Sequence, residues 1–293
     1  MVAGGRRTGR DAVQDLRGRA MRIVVYEWCC SGGLAGPDAD VGGAASAGLH
    51  AEGRGMFTAL LRDALRERRF EVTALVDASR PLVLPAGARP CAVPVGGEVG
   101  ALAAAAAAAD LALVVAPETA GVLGRRVAAA RTAGAVVAAP DAAFITLAAD
   151  KQATITALAA AGLPVPAGRV LAAGAAWPEA FVRPAVRKPL DGAGGAGFVT
   201  VPHGGPPPAA VPERTRIEAR VEGVPVGVSC LCGPGAIVPL PPLRQRFGGA
   251  DAARYLGGEP LADRVASGRA TGARSPPWRG PPADRPAAGW ESI

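Results

Sequence analysis

Short aliphatic runs alternate with helical segments throughout the first half of the chain. Runs rich in β-branched residues predict strands at 22–27, 70–77, 110–118 and 135–140. Apolar residues at helical spacing predict helices at 51–69, 99–109 and 121–134. This alternation predicts an α/β fold with a parallel, doubly wound sheet. Ligands of such sheets bind beyond the carboxyl ends of the strands, so we expect Ser31 and Glu118 to line a ligand crevice.

A different pattern follows residue 145. A helix, for which Asp150 is the predicted N-cap, runs to about Ala161 and ends before GLPVP. Strands are predicted at 185–190 and 197–201, and 216–233 reads as two strands joined at Gly223. This order predicts an α+β fold that is mainly antiparallel. We therefore divide the chain into an N-terminal α/β domain at 21–145 and a second domain at 146–262.

The excess positive charge lies at the two ends of the chain. The formal net charge is +7, and residues 1–20 and 264–293 each contribute +3. Because the remainder is nearly neutral, a basic nucleic-acid-binding face is not indicated. Of the last 30 residues, 20 are Ala, Arg, Pro or Gly, and the stretch has no periodic apolar pattern. Such a stretch cannot offset its ordering entropy, so we expect a disordered extension at 1–20 and a disordered tail at 263–293.

Five cysteines and two histidines do not form a recognisable metal motif. Cys29 and Cys30, Cys91, and the pair Cys230 and Cys232 all lack zinc-finger spacing. We expect reduced, buried thiols in a cytoplasmic protein. No apolar run reaches the ~18 residues of a membrane span, so no membrane partner is expected.

A glycine-rich loop, RKPLDGAGGAGF, occupies residues 187–198. It is not a Walker phosphate loop, because Lys188 precedes the glycines instead of following them. Residues 192–197 match the dinucleotide pattern GxGxxG, but a strand follows them where that pattern needs a helix. The remaining arrangement is a glycine loop between two strands, whose backbone N–H groups can donate to phosphate oxygens.

Lysine is almost absent from this arginine-rich chain. Of its 32 basic residues only Lys151 and Lys188 are lysines. A compact ammonium group reaches a phosphate oxygen in a way that the planar guanidinium fork does not reproduce. One lysine opens the helix before GLPVP and the other precedes the glycine loop, so both are candidate phosphate ligands.

Together these features resemble the ATP-grasp superfamily. The resemblance lies in Asp150–Lys151, in AGLPVP, in KPLDGAGGAGF and in IEARVEG, all following an N-terminal α/β domain. Further runs are similar to the tyramine–L-glutamate ligase group of methanofuran biosynthesis: MRIVVYEWCCSGGL, AEGRGMFTALLRD, VVAPE, RQRF and YLGGE. The resemblance extends from Met21 to about Pro260. It implies a pre-ATP-grasp α/β domain followed by an α+β ATP-grasp domain that is incomplete at its C-terminus.

The resemblance assigns the phosphates of ATP to the lysines and the glycine loop. Lys151 and Lys188 would contact phosphate oxygens. The glycines would form a flap over the phosphates, and they are Gly192, Gly194, Gly195 and Gly197.

It assigns the nucleoside to the segment after the glycine loop. Glu218 would lie at the adenine edge, and Ala219 and Val221 would offer backbone hydrogen bonds to the base. Glu222 is the candidate for the ribose hydroxyls.

The chemistry that the resemblance implies is an ATP-dependent carboxylate–amine ligation. A substrate carboxylate receives a phosphoryl group from ATP, and an amine then attacks the acyl phosphate to form an amide. Arg244 and Arg246 would be the catalytic residues, steadying the acyl phosphate or the triphosphate. The implied substrates are a small-molecule carboxylate and an amine, and the oligomeric state is left open.

The metal site is where the chain departs from the family. The family holds Mg²⁺ (or Mn²⁺) with carboxylates and an Asn late in the chain, but this chain contains no Asn. We therefore expect the C-terminal metal-binding part to be missing, with its ligands unidentified, and a reading-frame change after about Pro260 is one explanation. Two alternatives stay open: a catalytically impaired nucleotide-binding fragment, and a dinucleotide-binding oxidoreductase that uses 192–197.

Overall fold

The computed structural model describes residues 19–41, 46–192, 195, 197–204, 210–233, 236–248 and 254–261. The predicted disordered segments at 1–20 and 263–293 lie outside these ranges, apart from residues 19 and 20. The α-helices of the described chain are α1 (Ser46–Ala64), α2 (Glu98–Ala107), α3 (Val122–Thr132), α4 (Ala142–Ala149) and α5 (Lys151–Ala160).

The strands follow the same order along the chain. In the first half they are β1 (Met21–Glu27), β2 (Phe70–Asp77), β3 (Arg89–Val93), β4 (Leu111–Val115) and β5 (Val136–Val137). In the second half they are β6 (Gly168–Leu171), β7 (Ala185–Pro189), β8 (Val199–Val201), β9 (Thr215–Ala219), β10 (Val226–Gly227), β11 (Cys230–Gly233), β12 (Ala236–Pro239), β13 (Leu243–Gly248) and β14 (Arg254–Pro260).

Strands β1 to β5 form one sheet in the order β3-β2-β1-β4-β5, and every pair is parallel. Consecutive side chains of the central strand point to opposite faces. Val25 packs with Phe57 of α1 on one face, and Val24 packs with Leu102 of α2 and Val127 of α3 on the other. The prediction of an N-terminal α/β domain with helices on both faces of a parallel sheet is thus confirmed.

Element boundaries differ from the sequence prediction at α1. The helix predicted for 51–69 begins at Ser46 and ends at Ala64. The Glu67 carbonyl accepts a hydrogen bond from the Phe70 amide (2.9 Å), and its carboxylate accepts one from the Arg69 amide (3.2 Å). These contacts fold the residues after the helix into a turn that leads into β2.

Strand β3 and helix α4 are among the elements that were not predicted. Strand β3 contains Pro90, which weakens a strand signal but is tolerated at the edge of a sheet, where β3 lies. Helix α4 has the N-cap Asp141, whose carboxylate accepts a 2.7 Å hydrogen bond from the Phe144 amide. Asp150 ends α4 and caps α5 at once, so the two helices follow each other without a spacer.

The second half is antiparallel, as predicted. Strands β6 to β9 form a sheet in the order β6-β9-β7-β8. The prediction of two strands joined at Gly223 is wrong, because 216–233 contributes to β9, β10 and β11, which lie in three different sheets. β10 joins β13 and β14, whereas β11 pairs with β12 as a two-stranded ribbon.

The thiols do not share one environment. Cys29 and Cys30 are buried at the end of β1, as expected, and Cys91 is partly buried. The same expectation is wrong for Cys230 and Cys232, which are exposed because β11 is uncovered along its length. Within the described residues, no helix is both long and apolar enough to cross a membrane.

Candidate nucleotide-binding site

One face of the sheet formed by β7, β8 and β9 carries polar side chains. Opposite residues in an antiparallel ladder share a face, and Lys188 lies opposite Arg216 while Val186 lies opposite Glu218. Thr200 of β8 also lies opposite Val186 and therefore on this face. The reverse face contributes Ala185, Val201 and Ile217 to an apolar core that also contains Leu171, Trp177 and Val211. The strand alternation thus separates a binding face from a core face.

The Glu218 carboxylate is shared by two cations. Lys188 Nζ lies 2.5 Å from Glu218 Oε1, and Arg216 Nε donates a 2.8 Å hydrogen bond to Glu218 Oε2. Glu218 and Arg216 are buried, whereas the Lys188 side chain retains 25% of its exposure. Because each oxygen has its own cationic partner, the carboxylate is fixed in orientation while the ammonium group still meets solvent.

Arg216 extends this network to two further segments. Its terminal nitrogens donate to the carbonyl oxygen of Pro166 (3.0 Å) and to the side-chain oxygen of Gln152. Gln152 is the second residue of α5, directly after Lys151. The sequence analysis missed Arg216, although its place two residues before Glu218 on one strand puts both on the same face.

Lys151 is placed by the start of α5. The N-cap Asp150 accepts hydrogen bonds from the amides of Gln152 (2.7 Å) and Ala153 (2.9 Å), as predicted for the start of this helix. Lys151 Nζ then donates a 2.7 Å hydrogen bond to the carbonyl of Gly192 at the entry of the glycine loop. Burial, and then the positive charge of Lys188, lower the pKa of Lys151 below its usual value. Both lysines therefore converge on one place, although 37 residues separate them in sequence.

The described glycines of the loop use conformations that favour glycine. Gly192, Gly195 and Gly197 have φ angles of 137°, 78° and 70°. A Cβ at Gly197 would lie 2.7 Å from Pro189 Cγ, so this position excludes a side chain on two grounds. Gly194 lies outside the described residues. The loop leads into β8 and not into a helix, which removes the structural context that the dinucleotide alternative requires.

The loop is also tied to the N-terminal half. The Asp191 carboxylate accepts a 2.8 Å hydrogen bond from the amide of Ala120, which precedes α3. Ala120 has a φ of 53°, a left-handed conformation that is uncommon outside glycine. The first residues of the glycine loop are thus held between the Lys151 ammonium group on one side and the backbone before α3 on the other.

A cleft of about 280 Å³ opens beside this network. Its lining residues come from β7, β8 and β9 and from residues that flank β6, β8 and β9, and they are Pro166, Val186, Phe198, Thr200, Glu218, Ala219, Arg220 and Val221. Three of the predicted nucleoside residues, Glu218, Ala219 and Val221, therefore lie together in one cleft. The amide of Ala219 already donates a 2.8 Å hydrogen bond to Ala167, so a base could take that N–H only by displacing this bond.

Three predicted site residues lie outside the network that Lys188, Glu218 and Arg216 form. Glu222 is exposed and lies 3.3 Å from Arg220 Nε. Arg244 and Arg246 are exposed on β13, in the separate sheet with β10 and β14. They stand opposite Glu259 and Gly257, so the structure does not bring them into contact with the lysines or the cleft. The catalytic role of these arginines stays a prediction.

The ends of the parallel strands contribute less than expected. Ser31 is completely buried, and its hydroxyl donates a 2.8 Å hydrogen bond to the carbonyl of Leu75 and accepts one from the amide of Glu27. It therefore stabilises the turn after β1, and the expectation that it lines a crevice is wrong. Glu118 is exposed beside the first residues of α3.

A magnesium site is not formed by the described residues. Among them, no group of three or more His, Cys, Asp or Glu side chains is arranged to hold a metal ion. The described side chains therefore do not fit Mg²⁺, the oxygen-coordinated cation that the resemblance implies. The described chain therefore contains residues predicted to contact phosphate and base, but no matching metal centre among the described residues.

Two family models match consecutive parts of the chain. Residues 70–143 match the pre ATP-grasp 3 domain, and residues 148–270 match the ATP-grasp domain. No curated protein matches the chain in sequence.

Solved structures resemble the fold at low sequence identity. An ATP-grasp superfamily protein of Archaeoglobus fulgidus has a TM-score of 0.59 and 16% identity, and the match covers 84% of this chain and 68% of that one. The L-amino acid ligase of Bacillus licheniformis has a TM-score of 0.50 and 13% identity, with 78% and 51% covered. The N5-carboxyaminoimidazole synthetase of Staphylococcus aureus, solved with ADP, has a TM-score of 0.51 and 11% identity, with 81% and 57% covered. The chain thus matches about half of the length of the last two proteins.

The observed fold agrees with the family matches. A parallel N-terminal sheet is followed by an antiparallel sheet with a glycine loop, and the two matched domains follow each other in the same order along the chain. By its two consecutive domain matches, at 70–143 and 148–270, the chain belongs to the ATP-grasp superfamily.

Proposed function

We propose that the chain binds ATP in the cleft beside β9 and uses it to join a carboxylate to an amine through an acyl phosphate. The observation that carries this proposal is the convergence of Lys151, Lys188 and Glu218 around one cleft and one glycine loop. The buried Glu218 carboxylate, with Lys188 against it, offers an acceptor for the amino edge of adenine, and the ammonium groups of Lys188 and Lys151 offer positive charge for a triphosphate.

Each described group has a part in holding the nucleotide. Lys151 and Lys188 attract phosphate oxygens, and the Glu218 carboxylate accepts from the amino group of adenine. Gly192, Gly195 and Gly197 let the backbone approach the phosphates closely, and the resemblance assigns the same part to Gly194, which lies outside the described residues. The protein positions the reacting groups and stabilises the phosphoryl charge, which is how catalysis of phosphoryl transfer operates in general.

The substrate pair is the finer part of the proposal. The runs RQRF and YLGGE, which are similar to the tyramine–L-glutamate ligase group, lie on β13 and β14 and include Arg244 and Arg246. We propose that these two arginines face the acyl phosphate or the triphosphate when substrates are bound. L-Glutamate and tyramine are therefore the first carboxylate and amine to test, as for a ligase of methanofuran-type biosynthesis.

A second candidate is a nucleotide-binding protein without ligase activity. It is favoured by the lack of a carboxylate cluster that could hold Mg²⁺ within the described residues and by the absence of Asn from the sequence. In this case the cleft binds ATP, but the charge that develops during transfer has no metal to neutralise it.

Two measurements on the purified chain separate the candidates. ATP binding is followed by calorimetric titration, and phosphate release is followed with ATP, Mg²⁺, L-glutamate and tyramine, omitting each component in turn. Phosphate release that requires both organic substrates supports the ligase. Binding without release supports the second candidate, and no binding by the wild-type chain refutes both.

A further inference from the structure

Arg216 is a buried side chain beside the cleft, and it is held by several hydrogen bonds. It is the second residue of β9 with 2% of its side chain exposed, and its three side-chain nitrogens donate to Glu218 of the same strand, to Gln152 and to Pro166. A buried guanidinium group is costly unless its hydrogen bonds are made, so this position is built around those contacts. None of the motifs that indicate nucleotide binding includes this residue.

We propose that Arg216 is a positioning residue that makes the cleft select a 6-amino purine over a 6-oxo purine. The inference rests on the proposed nucleotide binding and assigns the selection of the base to a residue that does not itself line the cleft. It acts through Glu218 and Pro166, which do line it.

The first link is the orientation of Glu218. Arg216 holds Oε2 at 2.8 Å while Lys188 holds Oε1 at 2.5 Å, so the carboxylate plane is fixed at the wall of the cleft. A carboxylate only accepts hydrogen bonds. It therefore attracts the 6-amino group of adenine, whereas the 6-carbonyl oxygen of guanine is repelled and left without a donor. Without Arg216, the carboxylate turns freely about its remaining contact with Lys188, and this discrimination weakens.

The second link is the position of Pro166, which precedes β6, the strand beside β9. Arg216 donates to the carbonyl of Pro166, and Pro166 lines the same cleft as Glu218. Its third contact, to Gln152, ties the sheet to the helix that begins at Lys151. One guanidinium group thus fixes Glu218 and Pro166 relative to each other and to the helix that begins at Lys151.

The test compares ATP and GTP binding to Arg216→Met, Arg216→Lys and Arg169→Met. Methionine keeps an unbranched side chain without donors, and lysine keeps the charge but cannot make the three contacts. Arg169 is the matched control, because it is exposed on β6 and stands opposite Ile217, on the other face of the sheet. Thermal unfolding and circular dichroism accompany each titration.

We expect the wild-type chain to bind ATP more tightly than GTP. The ratio of the two dissociation constants should fall by about 10-fold or more in Arg216→Met, which corresponds to about 1.4 kcal/mol. It should fall less in Arg216→Lys and stay unchanged in Arg169→Met. Loss of selectivity with a retained fold distinguishes positioning from a general structural role.

Several results overturn the inference. The inference is wrong if a folded Arg216→Met chain keeps the wild-type ratio of dissociation constants. It is also wrong if the wild-type chain binds ATP and GTP equally, a result that leaves the proposed nucleotide binding intact. If Arg216→Met does not fold, an unchanged ratio in Arg216→Lys is decisive against it. A wild-type chain that binds neither nucleotide instead refutes the proposed function, and the inference with it.

Discussion

Lys151 Nζ donates a 2.7 Å hydrogen bond to the carbonyl oxygen of Gly192, which joins the first residue of α5 to the entry of the glycine loop. The ammonium group has further donors that can meet a phosphate oxygen. In this arrangement the same lysine orders the loop and presents positive charge to whatever the loop covers. The loop and the helix therefore form one binding unit, although they are distant in sequence.

Replacing Lys188 with Ala should weaken ATP binding by about 1–3 kcal/mol, because a charge-assisted contact to phosphate is lost. Glu218 keeps its contact with Arg216, so the fold should persist. Calorimetric titration measures the change, with Arg169→Ala as the control on the opposite face. Equal ATP affinity of Lys188→Ala and wild type would contradict the assignment of this lysine to the phosphates.

Lys151 should lose its proton at a lower pH than an ordinary lysine. Burial and the neighbouring Lys188 lower its pKa, because both disfavour the charged form. Acetylation across a pH series, read by mass spectrometry at the chain's two lysines, should give Lys151 a labelling midpoint below that of a model lysine. ATP should suppress the labelling.

The same shift has a consequence for stability. At a pH between the lowered pKa and the usual pKa of about 10.4, the unfolded chain binds more protons than the folded one, so the Lys151 contribution to stability rises with pH. Lys151→Met should remove that rise. If the pH midpoint for acetylation of Lys151 lies at or above that of an unperturbed lysine, the Lys151 ammonium group is not desolvated.

Gly197→Ala should destabilise the chain more than Gly204→Ala. The two glycines have similar φ angles, 70° and 72°, so both variants carry the cost of a left-handed residue, about 1–3 kcal/mol. Only at Gly197 does the new Cβ meet another side chain, 2.7 Å from Pro189 Cγ, whereas Gly204 has open space around it. Urea unfolding compares the two variants, and equal losses would argue against this packing of the glycine loop.

Arg126→Met should lower the free energy of unfolding by about 3–5 kcal/mol, because it leaves a buried charge without its partner. Arg126 donates to both oxygens of Glu98, at 2.6 and 2.8 Å, and both side chains are buried between α2 and α3. Adding Glu98→Gln to Arg126→Met should restore part of the loss.

The neighbouring Arg125 provides the control. It pairs with Asp38 at 2.6 Å but is half exposed, so Arg125→Met should cost less than about 1 kcal/mol. Chemical denaturation measures all four chains. If Arg126→Met costs no more than Arg125→Met, the ion pair does not carry the packing of α2 against α3.

Local chemistry made much of the fold predictable. The β-branched residues of β1 and β2 and the apolar spacing of α1 to α3 predict a parallel sheet, since they reflect burial on two faces. Asp150 predicted the start of α5, because the carboxylate of an N-cap accepts hydrogen bonds from the amides two and three residues later. The glycine pattern identified the loop between β7 and β8, since positive φ angles favour glycine.

Tertiary contacts decided what the sequence leaves ambiguous. Pro90 weakens the signal of β3, and only its place at the sheet edge allows that strand. Ser31 reads as a ligand residue at a strand end, but its hydroxyl is buried and used by Leu75 and Glu27. Whether a polar side chain faces a ligand or the interior depends on which segment packs over it, and no local pattern contains that information.

The candidate site shows the same division. The scarcity of lysine singled out Lys151 and Lys188, because phosphate contacts favour a compact ammonium group. The proximity of the two lysines, and the contacts of Arg216 with Glu218 and Gln152, follow from the register of β7 against β9 and from the packing of α5. Residue types and spacing determined the chemistry that this protein can offer. Strand pairing decided which groups share one face, because pairing joins residues that the chain keeps far apart.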